Sequence, residues 1–421
     1  MCSSDLSVAN VGAYLAGVGG GVPTYQYYHL QGTVYRLPAI ALEVRVVLTN
    51  TTPIGVMRGP GFAETVNILE RLIDAAAQQI GLDRAELRRR NMVPAAEMPM
   101  TNAFGFEVDS GAFPETLDKA LDHADLGGFA GRRRQSEAAG RLRGLGFAYH
   151  IKGTGGSPEE NVDIRFERDG SLSLITGTQH IGQGHETTFP QILSTLLGIP
   201  DSQIHLRQGD TDLIPIGGGH GSSRATFMAG TAMARASEEI VKKGTALAAE
   251  MLEASEADIR FDAGHPEGGR FTVAGTDRSV GLVEVAAIGR DKGKPLDTYH
   301  FWKREHLTFP NGTHVAEVEV DPETGRVTLE RYSGVDDYGV MVNPMVVAGQ
   351  AHGAMAQGAG QALLERTTYD PRSGQMIAGT FMDYAMPRAD DLPSFRLGFN
   401  PTRCTTNPLG VKGCGEAGAI A

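Results

Sequence analysis

The chain has 421 residues, 41% of them hydrophobic, and a formal net charge of −12. That length gives core for two or three domains. No run approaches the roughly 18 apolar residues of a membrane span, and the negative charge disfavours nucleic acid or an anionic membrane surface as the main partner.

Three cysteines, Cys2, Cys404 and Cys414, have neither zinc spacing nor a disulfide framework, which points to a reducing, cytoplasmic setting. Glycine fills 55 of 421 positions, about 13%, nearly twice ordinary usage, in short clusters without a collagen period. Both ends read as cut. Met1–Leu6 has no signal-peptide pattern and reads as adapter-derived, and the chain stops at Ala419-Ile420-Ala421 in what reads as the first turn of a helix. Targeting, periplasmic export included, is not legible in such an N-terminus.

In chain order, residues 7–50 alternate glycine-rich loops with β-branched runs such as Leu42–Leu48, favouring strands. The loop Gly55–Phe62 opens a helix in which Val66, Leu69, Leu72, Ile73, Ala76 and Ile80 recur at helical spacing before Gly81. Asp83 and Glu86 resemble the capping box of a short second helix. Residues 95–140 read as irregular, with Arg132, Arg133 and Arg134 as a solvated face. The character changes at 140–146, placing a domain boundary there, with parts 1–142 and 143–421. Val162, Ile164 and Phe166 turn through Asp169-Gly170 to Leu172 and Leu174 as a β-hairpin. A helix with Pro190 in its first turn runs to Gly198, and a short strand follows at Ile204–Arg207. A helix is expected from about Thr226 to Lys243, a second hairpin at Asp321–Gly325, and a small-residue helix over Asn343–Leu364. Without a regular βαβ rhythm, the fold class is mixed α+β.

Three glycine loops carry the chemistry. In 217–224, Ser222, Ser223 and Thr226 precede a helix N-terminus, which suits a phosphate with Arg224 as counter-charge or, equally, a simple helix cap. No GK[ST] and no G-x-G-x-x-G accompanies it. In 177–184, Gln183 offers a donor and an acceptor between glycines, as a neutral oxo or pterin-type ligand would need. His180 and His185 lack a third metal ligand. Gln350 is an amide among small apolar residues and requires a partner if buried. The last loop, Asn407–Gly418, surrounds one acid, Glu416, with small residues, so burial is expected to raise its pKa toward a general base's range. A serine hydrolase is disfavoured by the lack of a G-x-S-x-G elbow.

The stretches G-T-Q-H-I-G-Q-G (177–184), G-H-G-S-S-R (219–224), N-P-x-x-x-x-G-Q (343–350) and G-V-K-G-C-G-E-A-G (410–418), with M-R-G-P-G-F at 57–62, occur in an order that resembles the molybdenum hydroxylases. That is the xanthine dehydrogenase and aldehyde oxidase family, and the resemblance runs from about residue 8 to 421. It implies two molybdopterin-binding domains of that type, the first represented by its C-terminal part with an active-site loop at 53–64. It implies that Glu416 is the base for a water-derived attacking oxygen. Ile181, Gly182, Gln183, Gly184, Gly221, Ser222, Ser223, Arg224, Thr226, Gln350, Lys412, Gly413, Cys414 and Gly415 become cofactor contacts. Met57, Arg58 and Phe62 face substrate, and no residue ligates molybdenum directly.

The resemblance further implies a cytosine dinucleotide form of molybdopterin, a [2Fe-2S] small subunit, an FAD medium subunit and a dimer of heterotrimers. Carbon monoxide dehydrogenases of the family carry a copper-binding Cys in the loop aligned with 57–62. None stands here, so an aldehyde or aromatic N-heterocycle is the expected substrate. The family's large subunit is much longer, so this chain alone is not expected to hold cofactor tightly. A non-catalytic cofactor-binding assembly module is the alternative function.

Overall fold

The computed structural model describes residues 7–13, 20–23, 26 and 34–421. Residues 1–6, read above as adapter-derived, and much of the glycine-rich opening, 14–19 and 27–33, lie outside the described residues.

The helices are α1 (Phe62–Ile80), α2 (Arg84–Asn91), α3 (Phe113–His123), α4 (Phe129–Ala138), α5 (His185–Leu197), α6 (Ala225–Met251), α7 (Leu282–Asp291) and α8 (Pro344–Leu363). The strands begin with β1 (Ser7–Gly12), β2 (Val44–Leu48), β3 (Met100–Thr101), β4 (Glu107–Val108), β5 (Leu142–Ile151), β6 (Glu159–Phe166), β7 (Leu172–Thr176) and β8 (Ile204–Arg207). They continue with β9 (Ile259–Asp262), β10 (Arg270–Val273), β11 (Ser279–Gly281), β12 (Thr298–Lys303), β13 (Asn311–Val320), β14 (Val327–Asp337) and β15 (Arg396–Phe399).

Two four-stranded sheets, ordered β15-β14-β13-β5 and β12-β6-β7-β8, carry the molecule. In the first, β5, β13 and β14 are antiparallel and only β15 runs parallel to its neighbour. One face of this sheet, with Phe147, Tyr149, Val315 and Val335, is covered by Val66 and Ile73 of α1 and Phe113 and Leu117 of α3. Phe113 and Leu117 are fully buried, each contributing about 1.5–3 kcal/mol relative to exposure. The opposite face receives Met355 and Ala359 of α8 against Leu329 and Tyr332. The second sheet packs Val162, Ile164, Leu172 and Leu174 against Leu193 of α5 and Met233 and Ile240 of α6. The class is α+β, as the sequence implies. At 142/143 the chain passes into β5, and the core under the first sheet draws residues from both sides of that position.

Most expected elements stand where the sequence puts them. Asp83 Oδ1 accepts from the Ala85 and Glu86 N–H groups and caps α2, and Gly81 ends α1 in the left-handed region at φ 68°. Four expectations need correction. Residues 95–140 are not irregular: α3 and α4 lie there, and Phe113, Leu117, Ala120 and Leu121 form a buried stripe masked in sequence by charged neighbours. Arg132 is not on a solvated face. Its Nε and Nη2 grip the Glu317 carboxylate at 2.9 Å while Nη1 bonds Asp125 at 2.6 Å; only Arg133 and Arg134 are exposed. Pro190 sits in the second turn of α5 rather than the first. And α6 does not stop at Lys243. It runs on through Gly244, where an added Cβ would lie 2.4 Å from Phe271 Cζ, so the glycine admits a ring and does not end the helix.

Candidate active site

The exits of β5 and β14, the N-terminal turns of α1, α5, α6 and α8, and the tail 411–416 enclose one cavity of about 1440 Å³. Met57, Arg58, Phe62, Ile181, Gly182, Gln183, Gly221, Ser222, Ser223, Thr226, Gln350, Lys412, Gly413, Cys414, Gly415 and Glu416 all line it. Of the expected site residues only Gly184 and Arg224 do not. Segments from five parts of the chain thus meet in one hollow.

Their approach is backbone against backbone, which is why the residues are small. A Cβ on Gly177 would lie 2.1 Å from the Ile216 carbonyl, so the loops 177–184 and 217–224 touch there. A Cβ on Gly413 would lie 2.3 Å from the Ser223 carbonyl, fixing the tail on the same loop. Ser222 and Ser223 both adopt positive φ, 64° and 51°, a conformation costing a non-glycine residue about 1–3 kcal/mol. That strain aims the Ser223 hydroxyl at Glu416.

Glu416 is the best-held acid in the cavity. Its Oε2 accepts from Ser223 Oγ at 2.8 Å and pairs with Lys152 Nζ at 2.8 Å, and its Oε1 accepts from the Gly59 N–H at 3.3 Å. This overturns the expected upward pKa. Burial does push the carboxyl up, but the Lys152 ammonium, the Ser223 hydroxyl and the Gly59 N–H together hold it below the ordinary glutamate range. The acid is therefore an ionised carboxylate with a partner. Lys152 itself is buried at the end of β5, over the Phe62 ring at 5.1 Å, with Ser222 Oγ at 3.3 Å and the Gly153 carbonyl at 3.1 Å.

Two cations expected to face a ligand are used internally. Arg224 is fully buried; its Nη1 pairs with Glu160 Oε2 at 2.9 Å and its Nη2 donates to the Glu159 carbonyl at 2.6 Å. It is not a phosphate counter-charge. The Lys412 ammonium pairs with Asp337 at 2.7 Å and bonds Thr402 Oγ1 and the Ser110 carbonyl, so its charge is neutralised away from the cavity. The Gln183 amide closes its own loop, accepting from the Ile181 N–H at 2.6 Å and donating to the Gln179 carbonyl at 3.0 Å. Gln350 finds its partner in Arg58, whose Nη2 donates to its Oε1 at 3.0 Å.

Sequence reasoning missed Lys152, Gly59 as a donor, His220 and Arg304. A single lysine at a strand end has no pattern that would single it out. Among buried side-chain atoms, His185 Nδ1, His220 Nδ1 and Arg304 Nε have no hydrogen-bond partner, and all three residues line the cavity. Burial and the neighbouring His180 push the His185 imidazole down to about 4.

A molybdopterin cofactor-binding domain model matches residues 119–393, and a second such model matches 5–92. The 6-hydroxypseudooxynicotine dehydrogenase complex subunit gamma of Paenarthrobacter nicotinovorans is 34% identical over 92% of this chain and 50% of its own length. The carbon monoxide dehydrogenase large chain of Hydrogenophaga pseudoflava is 32% identical over 93% of this chain and 51% of its own. Quinoline 2-oxidoreductase from Pseudomonas putida 86 superposes with a TM-score of 0.92 at 31% identity, covering 98% of this chain and 55% of that one. The chain belongs to the molybdopterin-binding large subunits of the molybdenum hydroxylases. It spans about half the length of the curated relatives it matches.

The cavity fits a molybdopterin on its own chemistry. The pterin and phosphate portions of such a group offer acceptors and donors, and the orphaned His185, His220 and Arg304 atoms present polar partners buried at the wall. Contacts between glycines let the loops close without side chains entering the space.

Proposed function

We propose that the whole protein containing this chain oxidises an aldehyde or aromatic N-heterocycle, inserting an oxygen derived from water, with Glu416 as general base. The observation that carries this reading is the Glu416 carboxylate at the meeting point of loops 57–62, 221–224 and 413–416, inside the shared cavity. The ionised carboxylate is the form that accepts a proton. Its lowered pKa makes it a weaker base than one tuned toward neutrality, so its contribution rests on position; positioned general bases contribute roughly 10²–10⁴-fold. Ser223 and Gly59 hold its two oxygens in place, and Lys152 keeps it charged. Met57, Arg58 and Phe62 form the wall offered to substrate, with Arg58 steadied by Gln350. When bound, the molybdenum cofactor supplies the redox centre that takes up the two electrons.

Family membership and the sequence support finer assignments, which belong to the same proposal. They are a cytosine dinucleotide form of the cofactor held by Ile181, Gly182, Gln183, Gly221, Ser222, Ser223, Thr226, Gln350 and Lys412–Gly415, without Gly184 and Arg224, which stand off the cavity, and a cytoplasmic complex with a [2Fe-2S] subunit and an FAD subunit. Three cysteines in the chain do not make an iron–sulfur site, so electrons leave through partners. No helix among the described residues is long and apolar enough to cross a membrane. The division into 1–142, with the active-site loop 53–64, and 143–421 is likewise proposed as the two molybdopterin-binding parts.

The test is turnover of the complete complex on a panel of aldehydes and aromatic N-heterocycles, with molybdenum measured alongside. Turnover of at least one class by the molybdenum-loaded complex supports the reading. A purified complex that never contains molybdenum leaves the non-catalytic assembly module instead.

A further inference from the structure

We propose that His150, His314 and Asp336 form a binding site for one divalent transition-metal ion, with zinc the ion its donors suit. The site lies outside the cavity, on the α8 side of the first sheet, and no expected function uses it. Among the described residues it is the group of histidine and acidic side chains whose ligand atoms converge, all within 4.8 Å of one another.

Strand register builds it. His150 on β5, Gly312 on β13 and Asp336 on β14 are directly opposite one another. His314, two residues along β13, stands on the same face, opposite Ala148 and Gly334. The positions between the donors are therefore the smallest residues available. A Cβ on Gly312 would lie 2.1 Å from Asp336 Oδ1, and one on Gly334 would lie 2.9 Å from His314 Nε2. The backbone is cleared for these three side chains to lean together.

The donors are poised as ligands. His314 Nδ1 is 3.1 Å from the Tyr332 hydroxyl, which fixes the ring and directs Nε2 at Asp336 Oδ1, also at 3.1 Å. His150 Nε2 is 3.6 Å from the same carboxylate oxygen, too far for a hydrogen bond. Both His150 ring nitrogens lack a partner, although the residue is fully buried. Tetrahedral zinc with bonds of about 2.0–2.2 Å separates its donors by roughly 3.4 Å, close to the 3.1 and 3.6 Å found here. Two imidazoles and one carboxylate are borderline donors that suit zinc above calcium or magnesium. The Tyr338 hydroxyl donates to Asp336 Oδ2 at 3.0 Å, orienting the carboxylate from outside the ligand set. Such an ion would pin β5, β13 and β14 just before Lys152 and Tyr338 enter the cavity wall.

Elemental analysis of the purified complex after desalting with EDTA tests the site independently of turnover. One zinc per copy of this chain is expected, lost in His150→Leu while molybdenum is unchanged. Zinc X-ray absorption on the wild-type complex is expected to show only nitrogen and oxygen neighbours with imidazole outer-shell features, and stands even where the variant does not fold. Trace zinc in the wild type, zinc retained by a folded His150→Leu complex, or sulfur in the first shell would each overturn the proposal. Trace zinc would mean that a buried water serves the two histidines.

Discussion

Lys152 Nζ and Glu416 Oε2 lie 2.8 Å apart, one at the end of β5 and the other in the tail loop, with the lysine 1% and the glutamate 15% exposed. This pair decides the charge of the proposed base. Burial alone would favour the neutral acid; the ammonium reverses that. The folded pKa is below the ordinary value, so the carboxylate persists above the usual glutamate range and is lost only as pH falls through the lowered value.

Lys152→Met leaves burial acting on Glu416 against only Ser223 and Gly59. The acidic limb of the kcat/KM profile should then move to higher pH, and turnover at neutral pH should fall while molybdenum content holds. A limb that stays in place would mean that Lys152 does not govern the titrating group.

Glu416→Gln keeps the shape but offers a single acceptor oxygen, so it keeps only one of the two donors, Ser223 or Gly59, and it cannot take a proton. The complex should retain molybdenum and lose roughly 10²–10⁴-fold in kcat. Turnover near the wild-type rate would remove Glu416 from the mechanism.

Arg224 and Glu160 form an ion pair with both side chains fully buried. Glu160 keeps a hydroxyl from Thr178 and its neighbour's N–H from Asn161, but without the guanidinium its charge is uncompensated. Arg224→Met should destabilise the fold by about 3–5 kcal/mol, read as a lowered thermal midpoint, and adding Glu160→Gln should recover part of the loss. If Arg224 served a bound phosphate instead, the second change would restore nothing.

These relationships also show what a sequence exposes. The glycine loops are local, and their meeting is legible because each is a short run with an evident need for close approach. α1, the hairpins and α8 follow from periodicity and turn residues, each contained in a window of some 20 positions. What is hidden depends on partners far apart. Arg224 looks like a free cation until Glu160, which reads as an ordinary strand acid, is found beside it. The charge of Glu416 could not be judged without Lys152. His150, His314 and Asp336 have no common spacing, and only the register of three strands assembles them. α3 was obscured for a different reason: its apolar stripe is narrow and interleaved with Glu115, Asp118 and Lys119.

Arg58 stands in the cavity between the proposed base and α8, and its guanidinium reaches Gln350 rather than an acid. A cation bonded to a neutral amide keeps its charge available to a ligand carbonyl or ring nitrogen. Arg58→Ala should therefore change relative kcat/KM among aldehydes and N-heterocycles, roughly tenfold for substrates bearing an acceptor, at about 1.4 kcal/mol. Gln350 loses one donor but remains on a formed helix, so molybdenum content should hold. Parallel loss of molybdenum and of turnover on every substrate would instead assign Arg58 to holding the cofactor, and the wall offered to substrate would have to be sought at Met57 and Phe62.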